Sequence, residues 1–223
     1  MSMQDIPAEK LAAMVDASMG GRPAATLAEM AAFYEKLATY TFAAVMVEPR
    51  YLLSAVQYFH PRGQKVATVI AYPLGAMTTE AKLIQAAQAL ADGADELDVA
   101  MDLSAFRSGD YAKVVDELRA MRYLAGNRTI KVIYYSSVLS NDEALRAAQL
   151  ILQAGITFLK TNPGYGHVTT PEHVRVIKNR FGNDLRIMAS GGIRTHQDAL
   201  AMLEAGTDRI ATSSPFAVLG VEE

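Results

Sequence analysis

The chain has 223 residues, of which 51% are hydrophobic and none is cysteine. The missing cysteines exclude disulfide frameworks, zinc sites built on thiolates and cysteine nucleophiles. Because 21 Lys+Arg and 24 Asp+Glu are interspersed, with a net charge of −3, no basic stripe indicates nucleic acid binding. No apolar run approaches the ~20 residues that span a bilayer, and the first residues are acidic where a signal peptide is basic. We therefore expect a cytoplasmic protein with neither nucleic acid nor membrane as a partner.

Short apolar runs alternate with amphipathic stretches along the whole chain, which is the pattern of repeated βα units. The predicted strands are 14–18, which is the weakest, and then 43–47, 65–72, 96–101, 129–135, 156–160, 184–189 and 208–212. The predicted helices are 26–37, 79–91, 111–124, 141–153, 171–179 and 197–204, with a short helix at 216–219. Residues suited to helix ends are Asp110, Asn141 and Thr170 as N-caps, and Gly155 and Gly206 as C′ glycines.

The number of repeats decides between two α/β architectures. Eight βα units in a chain of this length predict a single (β/α)₈ TIM barrel, with residues 1–223 as one domain. An open doubly wound sheet is the alternative, but about six strands are usual there. In a barrel, active-site groups come from the C-terminal ends of strands and the loops after them. Ionisable residues inside or just after the predicted strands are therefore the candidates for function.

An acidic residue interrupts the fourth predicted strand. Asp98 lies on the face opposite Leu97 and Val99. A carboxylate inside a barrel costs several kcal/mol unless it is paired or hydrogen-bonded. Asp98 is therefore either a structural residue bonded to backbone amides or a functional residue with a charged partner.

Two lysines belong to the predicted strands. Lys160 ends the sixth strand and precedes a turn-rich loop. A lysine held against apolar walls has a lowered pKa, and its neutral amine is the nucleophile that Schiff-base chemistry needs; the alternative is a lysine that reaches out to water. Lys131 either points into the lumen beside Asp98 and Lys160 or reaches solvent at the bottom of the barrel. We favour the second position for Lys131 slightly, and its role stays open between none and one that supports Asp98 and Lys160.

Two segments are suited to an anion. Gly191 and Gly192 follow the seventh strand, and Ser213 and Ser214 follow the eighth. Glycines let backbone N–H groups approach an anion, and the serines offer amides at the start of a short helix. Barrels often bind phosphate after these two strands, so we predict a phosphate site there.

The histidines indicate no metal site. They show no metal-ligand spacing, and we predict that all of them are surface or loop residues: His60, His167, His173 and His196. The methionines are most simply core residues.

Together, these features resemble the deoxyribose-phosphate aldolase family nearly from end to end. The segments that carry the resemblance are 49–51, 72–75, 93–99, 131–133, 154–161, 189–195, 204–210 and 212–214. The resemblance implies a (β/α)₈ barrel that reversibly cleaves 2-deoxyribose 5-phosphate into acetaldehyde and glyceraldehyde 3-phosphate. It implies no metal and no organic cofactor, and it makes a homodimer plausible.

The resemblance also assigns roles to residues. Lys160 aligns with the Schiff-base lysine, Asp98 with a proton-shuttling aspartate, and Asp16 with an aspartate near a substrate hydroxyl. The residues that match the phosphate region are Gly164 or Tyr165, Gly191, Gly192, Ser213 and Ser214.

The sequence departs from the family pattern in three places. Met188 stands where the family has a second lysine, whose charge helps to keep the Schiff-base lysine neutral. Without that second lysine, the pKa of Lys160 would have to be lowered by desolvation, or by Lys131 if Lys131 faces the lumen. The loop after Lys160 carries Asn162 and Pro163 in place of Ser-Thr, and Tyr135-Ser136 replaces Glu-Thr.

These departures leave three hypotheses. The first is a Schiff-base aldolase that uses 2-deoxyribose 5-phosphate, and the second is a related aldolase with a different donor or acceptor aldehyde. The third is a barrel that binds a phosphorylated metabolite without turnover.

Overall fold

Eight parallel strands close into a barrel in the computed structural model, which describes residues 6–19 and 24–221. Neighbours around the barrel follow sequence order, and β1 pairs with β8 to complete it. The strands are β1 (Val15–Ser18), β2 (Ala44–Val47), β3 (Val66–Ile70), β4 (Glu96–Ala100), β5 (Thr129–Ile133), β6 (Phe158–Lys160), β7 (Arg186–Ser190) and β8 (Arg209–Thr212). The predicted TIM barrel is confirmed, and the weak first strand belongs to it.

Helices lie between successive strands. They are α1 (Ala8–Ala12), α2 (Leu27–Leu37), α3 (Leu52–Phe59), α4 (Thr79–Ala91), α5 (Leu103–Arg107), α6 (Tyr111–Ala125), α7 (Asn141–Gln153), α8 (Pro171–Phe181), α9 (His196–Glu204) and α10 (Pro215–Leu219). None of the helices that the structure describes is long and apolar enough to cross a membrane.

The sequence analysis missed three helices and misplaced some boundaries. Helices α1 and α5 have five residues each, and α3 follows directly on a 3₁₀ turn, so none shows an extended helical period. The predicted N-cap Asn141 is wrong: it is the first residue of α7, and Ser140 caps the helix by accepting from the Glu143 backbone N–H. Strands β3 and β5 are shorter than predicted. The left-handed φ values of Ala71 (54°) and Tyr135 (60°) are incompatible with an extended strand.

The two faces of each strand pack differently. In β4, Leu97 and Val99 belong to the core beneath the helices, whereas Glu96 and Asp98 point into the lumen. Full burial of such an apolar side chain stabilises the fold by ~1.5–3 kcal/mol. The lumen between β2 and β3 is also apolar, and the residues packed there are Ala44, Met46, Ala67 and Val69, with Tyr72 against them. The lumen therefore has an apolar part at β2 and β3 and a charged part that includes Glu96 and Asp98.

Candidate active site

Six charged side chains from five strands meet in the barrel lumen. Three are acids and three are bases, and all are buried: Asp16 on β1, Glu96 and Asp98 on β4, Lys131 on β5, Lys160 on β6 and Arg209 on β8. Because each acid is in contact with at least one base, the lumen carries pairs of opposite charge and no isolated ion. Such pairing is what a buried charge needs.

Asp98 links the two lysines. Its Oδ2 atom lies 2.7 Å from Lys160 Nζ, and its Oδ1 atom lies 2.9 Å from Lys131 Nζ. Burial would raise the pKa of Asp98, but the positive charges of Lys131 and Lys160 hold it below the ordinary value. The carboxylate is therefore ionised and placed directly against the amine of Lys160. Of the two hypotheses for Asp98, the structure agrees with the one that gives it charged partners.

The favoured position of Lys131 at the bottom of the barrel is wrong. Lys131 is fully buried, and its Nζ atom lies 2.8 Å from Asp16 Oδ2 and 2.6 Å from Glu96 Oε2 in addition to Asp98. Burial alone would lower the pKa of Lys131, but the surrounding carboxylates raise it above its ordinary value. Lys131 therefore carries its positive charge at the centre of three acids.

Glu96 and Arg209 complete the network, and the sequence analysis missed both. Arg209 Nη1 contacts both Glu96 carboxylate oxygens, at 3.0 and 2.9 Å, and Nη2 donates to Asp16 Oδ1. Glu96 lies two residues before Asp98 and so shares its face of the strand, which was an available signal. Arg209 begins β8 and showed no comparable signal. Burial raises the pKa of Asp16 despite the nearby Lys131 and Arg209.

The lumen acids predict how stability depends on pH. Glu96 and Asp98 have folded-state pKa values below their ordinary 4.5 and 3.8, because the adjacent cations outweigh desolvation. Their contribution to stability is fully present above those ordinary values and is lost as the pH falls through the lower folded-state values. Asp16, with a raised pKa, acts in the opposite direction and offsets part of the loss.

We therefore expect the free energy of unfolding in urea to stay level from about pH 7 to 5 and to fall steeply below about pH 4. The measurement is a series of urea titrations at fixed ionic strength. Stability that is constant or rising down to pH 3 would contradict the ionised network.

A cavity of about 290 Å³ opens above the network. Its walls come from the ends of β1, β2, β3, β6, β7 and β8 and the segments after them, with Met30 of α2. Among the six lumen charges, Lys160 alone lines the cavity. A molecule in the cavity therefore meets the Lys160 amine first and the Asp98 carboxylate just beneath it.

The predicted phosphate segments are only partly brought to this cavity. Gly191, Gly192 and Ser213 line it, as do Gly164 and Tyr165. Gly191 and Gly192 have φ values of 101° and 80°, a conformation that requires glycine. A Cβ atom at Gly191 would also lie 2.2 Å from the His167 carbonyl oxygen.

Ser214 is placed differently from its prediction. It is not among the residues that line the cavity, and its backbone N–H donates to Thr212 Oγ1 at 2.9 Å. The Ser214 amide is therefore already used inside the protein, and Ser213 is the one of the two serines that lines the cavity.

Asn162 joins the loops that follow β5 and β6. It is fully buried, its Oδ1 atom accepts from the Ser137 backbone N–H and Oγ, and its Nδ2 atom donates to Ser136 and Thr169 hydroxyls. A buried amide with these partners is fully satisfied. Asn162, which differs from the family pattern, therefore holds the loop after Lys160 in place through these hydrogen bonds.

His167 was predicted as a surface or loop residue, and it does lie in a loop, but it also lines the cavity. Its Nδ1 atom lies 3.0 Å from Ser137 Oγ. Because that hydroxyl donates its hydrogen to Asn162, His167 Nδ1 must be the donor in this contact.

Met188 lies beside Lys160. Its Cα is the register partner of Lys160, and its side chain is completely buried. The side chain at this position supplies an apolar wall and no charge.

Comparisons with known proteins agree on one kind of relative. The family model described as DeoC/LacD family aldolase matches residues 8–213. The chain is 36% identical over 187 residues, which are 83% of this chain and 84% of its relative, to a deoxyribose-phosphate aldolase from Streptococcus equi subsp. zooepidemicus. The solved structure called "QR15, an Aldolase" superimposes with a TM-score of 0.89 at 34% identity, covering 94% of each chain. The tetrameric deoxyribose phosphate aldolase from Aeropyrum pernix superimposes with a TM-score of 0.88 at 28% identity, covering 96% of this chain and 91% of that one.

Proposed function

Because the chain belongs to the DeoC/LacD family of aldolases, we propose that it cleaves 2-deoxy-D-ribose 5-phosphate reversibly to D-glyceraldehyde 3-phosphate and acetaldehyde. The observation that carries this proposal is the position of Lys160. Its amine lines the cavity, and an ionised carboxylate, Asp98, lies 2.7 Å from its Nζ atom. A nucleophile in hydrogen-bond contact with a group that moves protons is what Schiff-base catalysis requires.

The proposed reaction begins with transfer of a proton from Lys160 Nζ to the Asp98 carboxylate. The neutral amine attacks C1 of the open-chain sugar, and its N–H proton passes to the former carbonyl oxygen to give a carbinolamine. Asp98 returns its proton to the carbinolamine hydroxyl, which leaves as water, and an iminium remains. A base removes the proton from the C3 hydroxyl, the C2–C3 bond breaks, and its electron pair moves onto the iminium to form an enamine. Glyceraldehyde 3-phosphate departs, a proton is added to C2, and water releases acetaldehyde and regenerates the amine.

Asp98 is the group placed to move these protons. Its Oδ2 atom contacts Lys160 and its Oδ1 atom contacts Lys131, so one carboxylate oxygen stays fixed while the other exchanges a proton or a water. General acid–base catalysis of this kind contributes ~10²–10⁴-fold. Lys131 and Asp16 are then supporting residues, because Lys131 holds Asp98, Asp16 holds Lys131, and neither lines the cavity.

The substrate phosphate would occupy the end of the cavity formed after β7 and β8. Gly191, Gly192 and Ser213 lie there, and their backbone N–H groups have no partner among the described residues. Arg194 supplies a positive charge on the same wall. Free amides and a guanidinium suit a phosphate group.

The alternative proposal, a related aldolase with another donor or acceptor, is favoured by one observation. Pro163 has no hydroxyl to offer, and its carbonyl oxygen accepts from the Tyr72 hydroxyl inside the protein. The cavity wall next to Lys160 is thus less polar than a wall that carries threonine.

Borohydride trapping tests the proposed function directly. The purified protein is incubated with acetaldehyde and borohydride, and the peptide containing Lys160 is examined by mass spectrometry. We expect a reduced two-carbon adduct on Lys160, together with retro-aldol turnover of 2-deoxyribose 5-phosphate. No adduct on Lys160 would overturn both aldolase proposals and favour a non-catalytic binding barrel. An adduct without turnover of this sugar would favour another substrate.

Replacing Met188 with lysine tests how the amine is kept neutral. A cation at this buried position disfavours the charged form of Lys160, so a larger fraction of the amine is neutral at a given pH. We expect the retro-aldol rate of Met188→Lys to rise and its pH optimum to move down by about one unit. Met188→Leu conserves volume and adds no charge, so it should keep the wild-type pH profile. A profile that is the same in Met188→Lys would show that another group controls the amine.

A further inference from the structure

The cavity is open on one side of Lys160 and closed on the other. Its walls contain no residue from β4, β5 or the segments that follow them, in the part of the chain that the structure describes. Yet β5 is the strand that pairs directly with β6, where Lys160 lies. Something must therefore separate the cavity from that side of the lumen.

Tyr72 lies where this separation occurs. It lines the cavity and packs against the apolar lumen cluster of Ala44, Met46, Ala67 and Val69. Its hydroxyl donates to the carbonyl oxygen of Pro163, three residues after Lys160. The side chain thus reaches from the loop after β3 to the loop after β6 and spans the mouth of the lumen.

Two further contacts hold Tyr72 in place. The Tyr135 hydroxyl, from the loop after β5, donates to the carbonyl oxygen of Pro73, the next residue in the chain. The Tyr165 ring, which also lines the cavity, packs against Tyr72, with 5.6 Å between ring centroids. Ala71 and Tyr135 both have positive φ, an uncommon conformation that the surrounding contacts must maintain. Burial raises the pKa of Tyr72, so its hydroxyl remains a hydrogen-bond donor at neutral pH.

Apolar side chains lie on the far side of this barrier. Ala100 and Ile133 are register partners at the ends of β4 and β5, and Ile133 is in turn the partner of Lys160. Both are completely buried. Without the Tyr72 ring, the space next to the Lys160 amine would be bordered by a methyl group and an isoleucine, which favours an aliphatic substituent over a polar one.

We propose that Tyr72 is the residue that limits the donor aldehyde to two carbons. This inference rests on the proposed function, since it concerns the aldehyde bound to Lys160. A longer donor bonded to Lys160 extends its chain toward β4 and β5 and meets the Tyr72 ring. The acceptor and its phosphate lie on the open side, toward Gly191 and Gly192, and are not restricted by Tyr72.

The test compares donor preference in wild type, Tyr72→Ala, Tyr72→Leu and Tyr72→Phe. The rates of aldol addition of acetaldehyde and of propanal to glyceraldehyde 3-phosphate give a kcat/KM ratio for each protein. We expect the propanal-to-acetaldehyde ratio to rise about tenfold or more in Tyr72→Ala, which removes the ring. In Tyr72→Leu this ratio should rise less, because leucine keeps an apolar side chain against the lumen cluster that contains Met46 and Val69. Tyr72→Phe should stay within about twofold of wild type, since it keeps the ring. Tyr123→Ala, at a fully exposed tyrosine of α6, is the matched control.

Trapping with borohydride gives a second readout that needs no acceptor. The ratio of three-carbon to two-carbon adducts on Lys160 should rise in Tyr72→Ala and Tyr72→Leu as the kinetic ratio does. Adducts with an unchanged ratio in both variants would overturn the role of Tyr72 and leave the proposed function standing. A change confined to a series of acceptors, with donor preference constant, would also overturn it. No adduct with either aldehyde in wild type would instead overturn the proposed function, and this inference with it.

Discussion

Replacing Lys160 with methionine is expected to abolish the aldol reaction. The variant has no amine to attack the carbonyl, so we expect kcat for retro-aldol cleavage to fall by at least about 10⁴-fold, a loss typical of a removed nucleophile. Methionine fills much of the same volume against the apolar lumen, and Asp98 keeps Lys131 as a partner 2.9 Å away. The loss should therefore be catalytic, with the barrel still folded.

The control for this substitution is another lysine. Lys36 on α2 is exposed, so Lys36→Met should retain wild-type turnover and the wild-type adduct on Lys160. Turnover by Lys160→Met within about tenfold of wild type would mean that another amine forms the Schiff base. Mass spectrometry of the trapped variant would then identify which lysine carries the adduct.

Asp98→Asn is expected to have the second largest effect, and on two quantities. The amide cannot accept a proton from Lys160, so we expect kcat to fall ~10²–10⁴-fold. The same change leaves Lys131 and Lys160 without the carboxylate that joins them, and breaking a buried pair costs ~3–5 kcal/mol of stability. Retro-aldol kinetics and urea denaturation measure the two effects separately.

Lys160→Met and Asp98→Asn can be told apart by borohydride trapping. Asp98→Asn retains the Lys160 amine, so the adduct should form slowly, whereas Lys160→Met should never form it. Asp102 provides a matched substitution just beyond β4, where it caps α5 and contacts exposed Lys113. Asp102→Asn should lose little stability and keep kcat. An Asp98→Asn enzyme with wild-type kcat would exclude the carboxylate from proton transfer.

The place of Asp98 and Lys160 could be predicted because local rules determine it. Period two assigns Asp98 to one face of a strand, and the turn-rich loop marks Lys160 as a strand end. The glycines at 191 and 192 were also recognisable, because only glycine tolerates their left-handed conformation. Each of these predictions depends on a few neighbouring residues.

The depth of a side chain in the barrel is a different kind of property. We assigned Lys131 to solvent because the sequence predicts which face of the strand it lies on but does not predict how deep in the lumen it lies. The register that makes it the partner of Asp98 depends on how all the strands close into the barrel. Arg209 and Asp16 likewise meet only because β8 pairs with β1.

The sequence by itself determined the eightfold βα repeat, the strand-end lysine, the carboxylate in β4 and the glycines that follow β7. These depend on periodicity and on backbone conformation, which act over a few residues. The tertiary structure alone decided that Lys131 lies among three acids, that Ser214 is turned away from the cavity, and that Tyr72 reaches Pro163 across the lumen. These contacts join residues that barrel closure brings together, and no local pattern specifies which distant strand or loop a side chain will meet.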